Sequence, residues 1–168
     1  SFLQVPGAKE VGIEFHSLSK TYNMTGWRVG FAVGNIDLIK GLGKIKENVD
    51  SGLFQAIQAA GIEALDSDQS SVEKSRKMYQ ERRDIFCKGL DEMGWKYFAS
   101  KATFYIWVKT PNGIKSIDMT MKLMNDAGIV STPGSGFGEF GEGYIRFSLT
   151  VDKEVLKKVI EKLKEVKF

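Results

Sequence analysis

One cysteine, one histidine and no long apolar run set the first limits on this 168-residue chain. Cys87 alone cannot form an internal disulfide, which argues against a disulfide-stapled secreted scaffold and for a reducing, cytoplasmic setting. No run of about 18 apolar residues occurs, so no helical membrane span is expected. The excess of one charge over the other is small as well, a net +3. The 24 Lys and Arg stand against 21 Asp and Glu, and the lysines between 153 and 167 are mixed with glutamates. That mixture reads as a solvated helix face, and nucleic acid is not expected as a partner. No metal site is expected. Repeats and low-complexity tracts are absent. The chain begins Ser-Phe-Leu-Gln-Val, without Met or a basic-then-apolar leader, and reads as one entered partway through a longer protein.

What is there is an ordinary globular pattern, long enough to bury a core. Alternation over Val11–Ser17 predicts a strand with Ile13 and Phe15 on one face, and the apolar run Arg28–Gly34 a second, buried strand. Asn35 is placed to cap a helix to about Glu47, with Ile36, Ile39 and Leu42 inward. Ser51-Gly52 marks a turn. Phe54–Leu65 is expected to be helical, with Phe54, Ile57, Gly61, Ala64 and Leu65 on one face. The polar stretch Asp66–Ser71 is the best internal boundary. Ser70 and Glu73 have capping-box spacing, and Val72, Tyr79, Phe86 and Met93 recur every seven residues along a long helix that Gly94 ends.

Beyond it, Thr103–Val108 predicts a strand ended by Pro111-Asn-Gly, and Ser116–Ala127 a helix with Met119, Leu123 and Met124 on one side, closed by Gly128. Ile129–Ser131 and Tyr144–Leu149 read as further strands. Asp152 is expected to cap a last helix with Val155, Leu156, Val159, Ile160, Leu163 and Val166 in one stripe. The chain is thus α/β: a strand-helix piece over 1–66, then an α+β unit over 67–168 with a small, antiparallel sheet covered by helices.

The chemistry concentrates in Ser17-Leu-Ser-Lys20-Thr-Tyr-Asn-Met-Thr-Gly-Trp-Arg28-Val-Gly30. A phosphorylated aldehyde cofactor needs an amine to form an imine, and lysine is the side chain that supplies one with an adjustable pKa. Its phosphate needs hydroxyl donors and a planar cation, which Ser17, Ser19 and Arg28 provide. Tyr22 and Trp27 are read as packing. Further on, Ile145-Arg146-Phe147 puts a guanidinium on the strand face opposite its two apolar neighbours, where it suits bidentate grip of a carboxylate.

At these residues the chain resembles the class I and II pyridoxal-phosphate-dependent aminotransferases. Their lysine-attachment motif has a Ser three before the Lys and an Arg eight after it, and Ser17 and Arg28 match those positions. The resemblance implies that Lys20 forms the Schiff base with pyridoxal 5'-phosphate and shuttles the substrate's α-proton. It implies that Ser17, Ser19 and Arg28 bind the cofactor, and that Arg146 binds the α-carboxylate of the amino acid. The run Pro133–Gly143 precedes a strand, not a helix, so it is read as a flexible loop and not a phosphate cradle. The family's similar Pro-Gly-x-x-Phe-Gly loop lines the way in for substrate. His16 is read as packing or a hydrogen-bond partner, and Cys87 as a helix core residue.

The resemblance runs over essentially the whole chain, and over Glu14–Asn35 and Asp50–Gly52 it is nearest to the LL-diaminopimelate and aspartate branches. It implies the C-terminal portion of a type I pyridoxal-phosphate transferase fold. Residues 1–66 would be the remnant of the large cofactor-binding domain and 67–168 the small domain. The expected activity is amino transfer between an amino acid and a 2-oxo acid, in a homodimer whose Asn48–Gly52 turn reaches the neighbouring site. The family's ring-nitrogen Asp, its Asn and Tyr near the ring oxygen and its stacking aromatic have no match among these residues. A fragment that is inactive alone is therefore expected. A carbon–sulfur lyase or related synthase on the same scaffold, and a non-catalytic aminotransferase-like module, remain the alternatives.

Overall fold

Period-two alternation after Gly12 produces β1 (Ile13–Ser17), which pairs antiparallel with β2 (Gly30–Gly34) from Ile13 opposite Gly34 to Ser17 opposite Gly30. These elements come from a computed structural model that describes residues 1–168. The chain forms two compact units, Ser1–Lys74 and Ser75–Phe168. In the first, α1 (Ala8–Val11) leads into β1, and β2 is followed by α2 (Ile36–Val49) and α3 (Gln55–Asp66). Asn35 caps α2 as expected, its Oδ1 accepting from the N–H groups of Asp37 and Leu38.

Burial in this unit is thinner than the apolar pattern suggests. The expected buried strand is a member of a two-stranded ribbon, with Phe31 and Val33 exposed, because within these residues no further strand or layer flanks it. For the same reason Phe15 and Ile36 stand exposed, and only Ile39 and Leu42 of the expected α2 stripe are half-buried. The expected face of α3 contracts to Ile57, Gly61 and Ala64, with Phe54 and Leu65 exposed. Gly61 is buried, and the space its missing side chain leaves faces Leu18 and Val29, so α3 backs the turn that carries Lys20.

The polar break after Asp66 separates α3 from α4 (Ser70–Glu92). Ser70 does not cap α4 as its spacing with Glu73 suggests. It is already the first helical residue, and Asp68 Oδ1 accepts from both its N–H and its hydroxyl. The two units part within α4, between Lys74 and Ser75.

The second unit is built on a three-stranded antiparallel sheet in the order β3 (Tyr105–Lys109), β5 (Tyr144–Ser148), β4 (Thr132–Pro133). One face of the sheet carries Ile106, Val108, Ile145 and Phe147 into a single core with Phe86 and Leu90 of α4. The core is completed by Met119 and Leu123 of α5 (Ser116–Ala127) and by Leu156, Ile160 and Leu163 of α6 (Lys153–Glu165). Gly94 and Gly128 end α4 and α5 in left-handed geometry, as expected.

Three expectations fail here for identifiable reasons. Ile129–Ser131 is not a strand: the Ile129 N–H is taken by the Leu123 carbonyl in the helix-ending turn, so pairing starts only at Thr132. Met124 and Val155 lie at the edges of their helical stripes and are exposed. Asp152 sits at the N-cap position of α6 without capping it, because its carboxylate accepts from Arg82 Nη2 at 3.2 Å. Arg82 is buried and also donates to the Leu149 carbonyl, tying α4 to the end of β5.

Helices α4 and α6 touch through Gly89, where a Cβ would lie 2.6 Å from Ile160 Cγ2. Replacing Gly89 with alanine must push the helices apart or force Ile160 off its rotamer. An expected loss of about 1–3 kcal/mol outweighs the better helix propensity of alanine. Denaturant unfolding of the full-length protein, followed on the second unit, checks this. No helix is long and apolar enough to cross a membrane.

Candidate active site

Lys20 stands exposed in the turn after β1, and that turn is held by hydrogen bonds that run from Ser17 to Arg28. Ser17 Oγ accepts from the Ser19 N–H at 3.2 Å, the Thr25 hydroxyl donates to the Ser19 carbonyl at 2.9 Å, and Arg28 Nη1 donates to the Thr25 carbonyl at 2.9 Å. Leu18 and Met24 are buried beneath, and the Leu18 N–H bonds the Val29 carbonyl across the ends of the ribbon. The single-turn helix Thr25–Trp27 delivers Arg28 in the left-handed region (φ 54, ψ 44). This non-glycine strain is sustained because the surrounding bonds over-determine the turn. Ser17, Ser19, Lys20 and Arg28 are thus gathered on one turn.

Two neighbours differ from their expected roles. Tyr22 is not simply packed: its hydroxyl donates to Gln69 Oε1 at 2.9 Å, and Gln69 Nε2 in turn donates to the last carbonyls of α3. Trp27 is 47% exposed and fills no core. His16 is a partner of Glu14, with Nε2 2.6 Å from Oε1, and stacks on Phe31 with centroids 4.9 Å apart. Cys87 is half-buried against the core, and that burial pushes its thiol pKa up, away from nucleophilic use.

Arg146 belongs to the second unit, in β5 opposite Trp107 of β3 and Thr132 of β4. Its neighbours Ile145 and Phe147 are buried on the far face, as the alternation predicts. Its guanidinium carbon lies 4.2 Å from the centroid of Tyr105 and 4.5 Å from that of Phe137. With two aromatic rings this close, part of the cation's surroundings is apolar and its hydrogen bonds must be made in the plane of the guanidinium. Arg146 Nε is buried and has no hydrogen-bond partner. A buried, unpaired donor of a charged group is costly, and a carboxylate meets it in the bidentate geometry that arginine favours.

The loop that brings Phe137 is two short helical turns, Gly134–Phe137 and Glu139–Gly141. They close on each other at Gly134, where a Cβ would lie 1.9 Å from the Gly141 carbonyl oxygen. Glu142 then anchors the loop's end. Its Oε1 accepts from the N–H groups of Ser116 and Gly143 at 2.7 and 2.8 Å, and its Oε2 from the Ser116 hydroxyl at 3.1 Å. These bonds, the Ser116 backbone first, hold the Glu142 carboxyl below the usual carboxylate range. The sequence reading missed Glu142. The available signal was Lys115, which stands at the N-cap position of α5 with no side-chain acceptor to offer the first N–H groups.

Known proteins are similar to this chain in sequence and in fold. The family model for aminotransferase class I and II matches residues 5–163. An LL-diaminopimelate aminotransferase of Syntrophobacter fumaroxidans is 56% identical over 168 residues, covering all of this chain and 43% of the relative. One of Aquifex aeolicus is 56% identical over the same length, again covering 43% of the relative. An aminotransferase structure from Staphylococcus aureus superposes with a TM-score of 0.93 at 38% identity, covering 98% of this chain and 44% of that one. The chain spans less than half the length of the relatives it matches. It belongs to the class I and II aminotransferase family.

Proposed function

We propose that this chain is the C-terminal part of a pyridoxal-phosphate-dependent aminotransferase that moves an amino group between an amino acid and a 2-oxo acid. The observation that carries the reading is the bonded turn from Ser17 to Arg28, which presents an amine, two hydroxyls and a guanidinium together. That donor set fits the cofactor. Arg28 spends one nitrogen on Thr25 and keeps the rest of its fork for a phosphate, and Ser17, which accepts from Ser19, keeps its hydroxyl proton to donate. When bound, pyridoxal phosphate supplies an electron sink for the substrate's α-carbon. Ser17, Ser19 and Arg28 would hold its phosphate oxygens. Lys20 Nζ would hold its aldehyde end and take up the proton that leaves the substrate's α-carbon. Arg146 would grip the α-carboxylate of the amino acid.

The names of the relatives support LL-diaminopimelate as a substrate of the intact protein. A homodimer in the cytoplasm, with the Asn48–Gly52 turn directed to the neighbouring site, completes the reading. Residues 1–66 belong in it to the cofactor domain and 67–168 to the small domain.

Two assays test it. The full-length protein, given LL-diaminopimelate and 2-oxoglutarate, is expected to form glutamate, and release of ammonia with pyruvate from a sulfur amino acid instead would mark a lyase. Residues 1–168 alone are expected to show no turnover, since they contain no carboxylate matching the family's partner for the ring nitrogen. Measurable transfer by the purified 168-residue chain contradicts that expectation.

A further inference from the structure

We propose that Glu142 is a positioning residue for carboxylate recognition, which acts by holding the Phe137 ring against Arg146. The proposal rests on the aminotransferase reading for its substrate but not for its geometry. Helix α5 begins at the fully buried Ser116 with a lysine at its N-cap, so its first N–H has no acceptor from its own segment. Glu142 supplies that acceptor from another part of the chain, at the positive end of the helix where a carboxylate is most favourable. The Ser116 hydroxyl completes the join. It lies 3.0 Å from the Ser135 hydroxyl and accepts from the Ser135 N–H, so α5 grips the loop 133–143 near its start as well as at its end.

Between those two anchors lies Phe137. Its ring meets Arg146 at 4.5 Å and Trp107 edge-on at 5.2 Å. The ring is itself 52% exposed and has little core to hold it, so its place depends on the backbone that carries it. If Glu142 lets go, the loop loses one anchor, the ring leaves the guanidinium, and water reaches the edge where Nε is now dry. A wet arginine binds a carboxylate weakly, because attraction between exposed charges is small.

The test uses the full-length protein with cofactor and two readouts. In the first, steady-state KM for the amino acid in Glu142→Ala is expected to rise about ten-fold with kcat changed less than about two-fold, the size of one charge-assisted hydrogen bond's effect. Glu142→Gln, which keeps an oxygen to accept from Ser116, is expected to restore most of the wild-type KM. Phe137→Leu is expected to raise KM similarly, and adding Glu142→Ala to it to change nothing more, since both act through one ring. In the second, calorimetric titration with propionate, an unreactive monocarboxylate, reads the grip of Arg146 without turnover. Wild type is expected to bind it and Glu142→Ala to bind it about ten-fold more weakly. Propionate binding without amino transfer by the wild type would sink the aminotransferase reading and leave this proposal standing. Equal propionate affinity in wild type and Glu142→Ala overturns the proposal. So does an absence of propionate binding by the wild type, or full additivity of the two substitutions.

Discussion

Replacing Lys20 with arginine in the full-length protein is expected to lower kcat for amino transfer by at least about 10³-fold while leaving the fold intact. Arginine keeps the charge and nearly the length of lysine, and Lys20 is an exposed turn residue whose backbone asks for no particular side chain. Stability should therefore stay close to wild type, within about 0.5 kcal/mol. Chemistry should not survive. A guanidinium does not deprotonate in proteins, so it can neither attack an aldehyde nor accept the α-proton. The Ser17–Arg28 turn does not need Lys20 for the hydrogen bonds that join Ser17, Ser19, Thr25 and Arg28, so those residues stay in place. On the proposed reading the variant should still bind the cofactor but release it on dialysis, because Lys20 would be its covalent anchor. Single-turnover absorbance after mixing with the amino acid measures the step directly. A Lys20→Arg variant with kcat within ten-fold of wild type would falsify the assignment.

The second large effect is expected at Arg146. Arg146→Met fills the space between Tyr105 and Phe137 with a side chain that packs well on aromatic rings, so the second unit should remain folded. On the proposed reading the α-carboxylate then loses a partner whose Nε is buried. Truncating one side of such a pair costs about 2–5 kcal/mol, which corresponds to a fall in kcat/KM of about 30- to 4,000-fold. The loss should fall on amino acids and spare simple amines that have no carboxylate to place. Arg146→Lys should recover little, because an ammonium offers no edge of two parallel donors and stacks poorly between rings. Comparing kcat/KM for an amino acid and for the amine of the same side chain separates this role from a structural one. An equal loss for both substrates would mean that Arg146 supports the sheet and not the substrate.

Much of the local structure was legible because it depends on neighbours in sequence. The cap at Asn35, the bounds of α5, the ends at Gly94 and Gly128 and the outward turn of Arg146 all follow from side chains within a few residues of the place they act. Readings failed where the deciding partner is far away along the chain. Asp152 looks like a cap until Arg82, on another helix, takes its carboxylate. Ile129 looks like a strand residue until the Leu123 carbonyl claims its N–H. The apolar run of β2 implies burial, yet burial needs a second layer, and these residues provide only a ribbon.

For the site, the amino-acid sequence by itself determined the chemistry: an amine at Lys20, hydroxyls at Ser17 and Ser19, a forked cation at Arg28 and another at Arg146, in a spacing that belongs to one family. Those are matters of functional groups and of their order, which a linear chain states outright. Only the tertiary structure decided the surroundings that set how strongly these groups act. Thr25 joins Ser19 to Arg28, two rings close on Arg146, and Glu142 reaches Ser116, 26 residues away, to hold one of those rings in place. Desolvation and hydrogen-bond geometry depend on distances through space, and no local pattern around Glu142 encodes that its partner will be the first N–H of a helix left uncapped by Lys115.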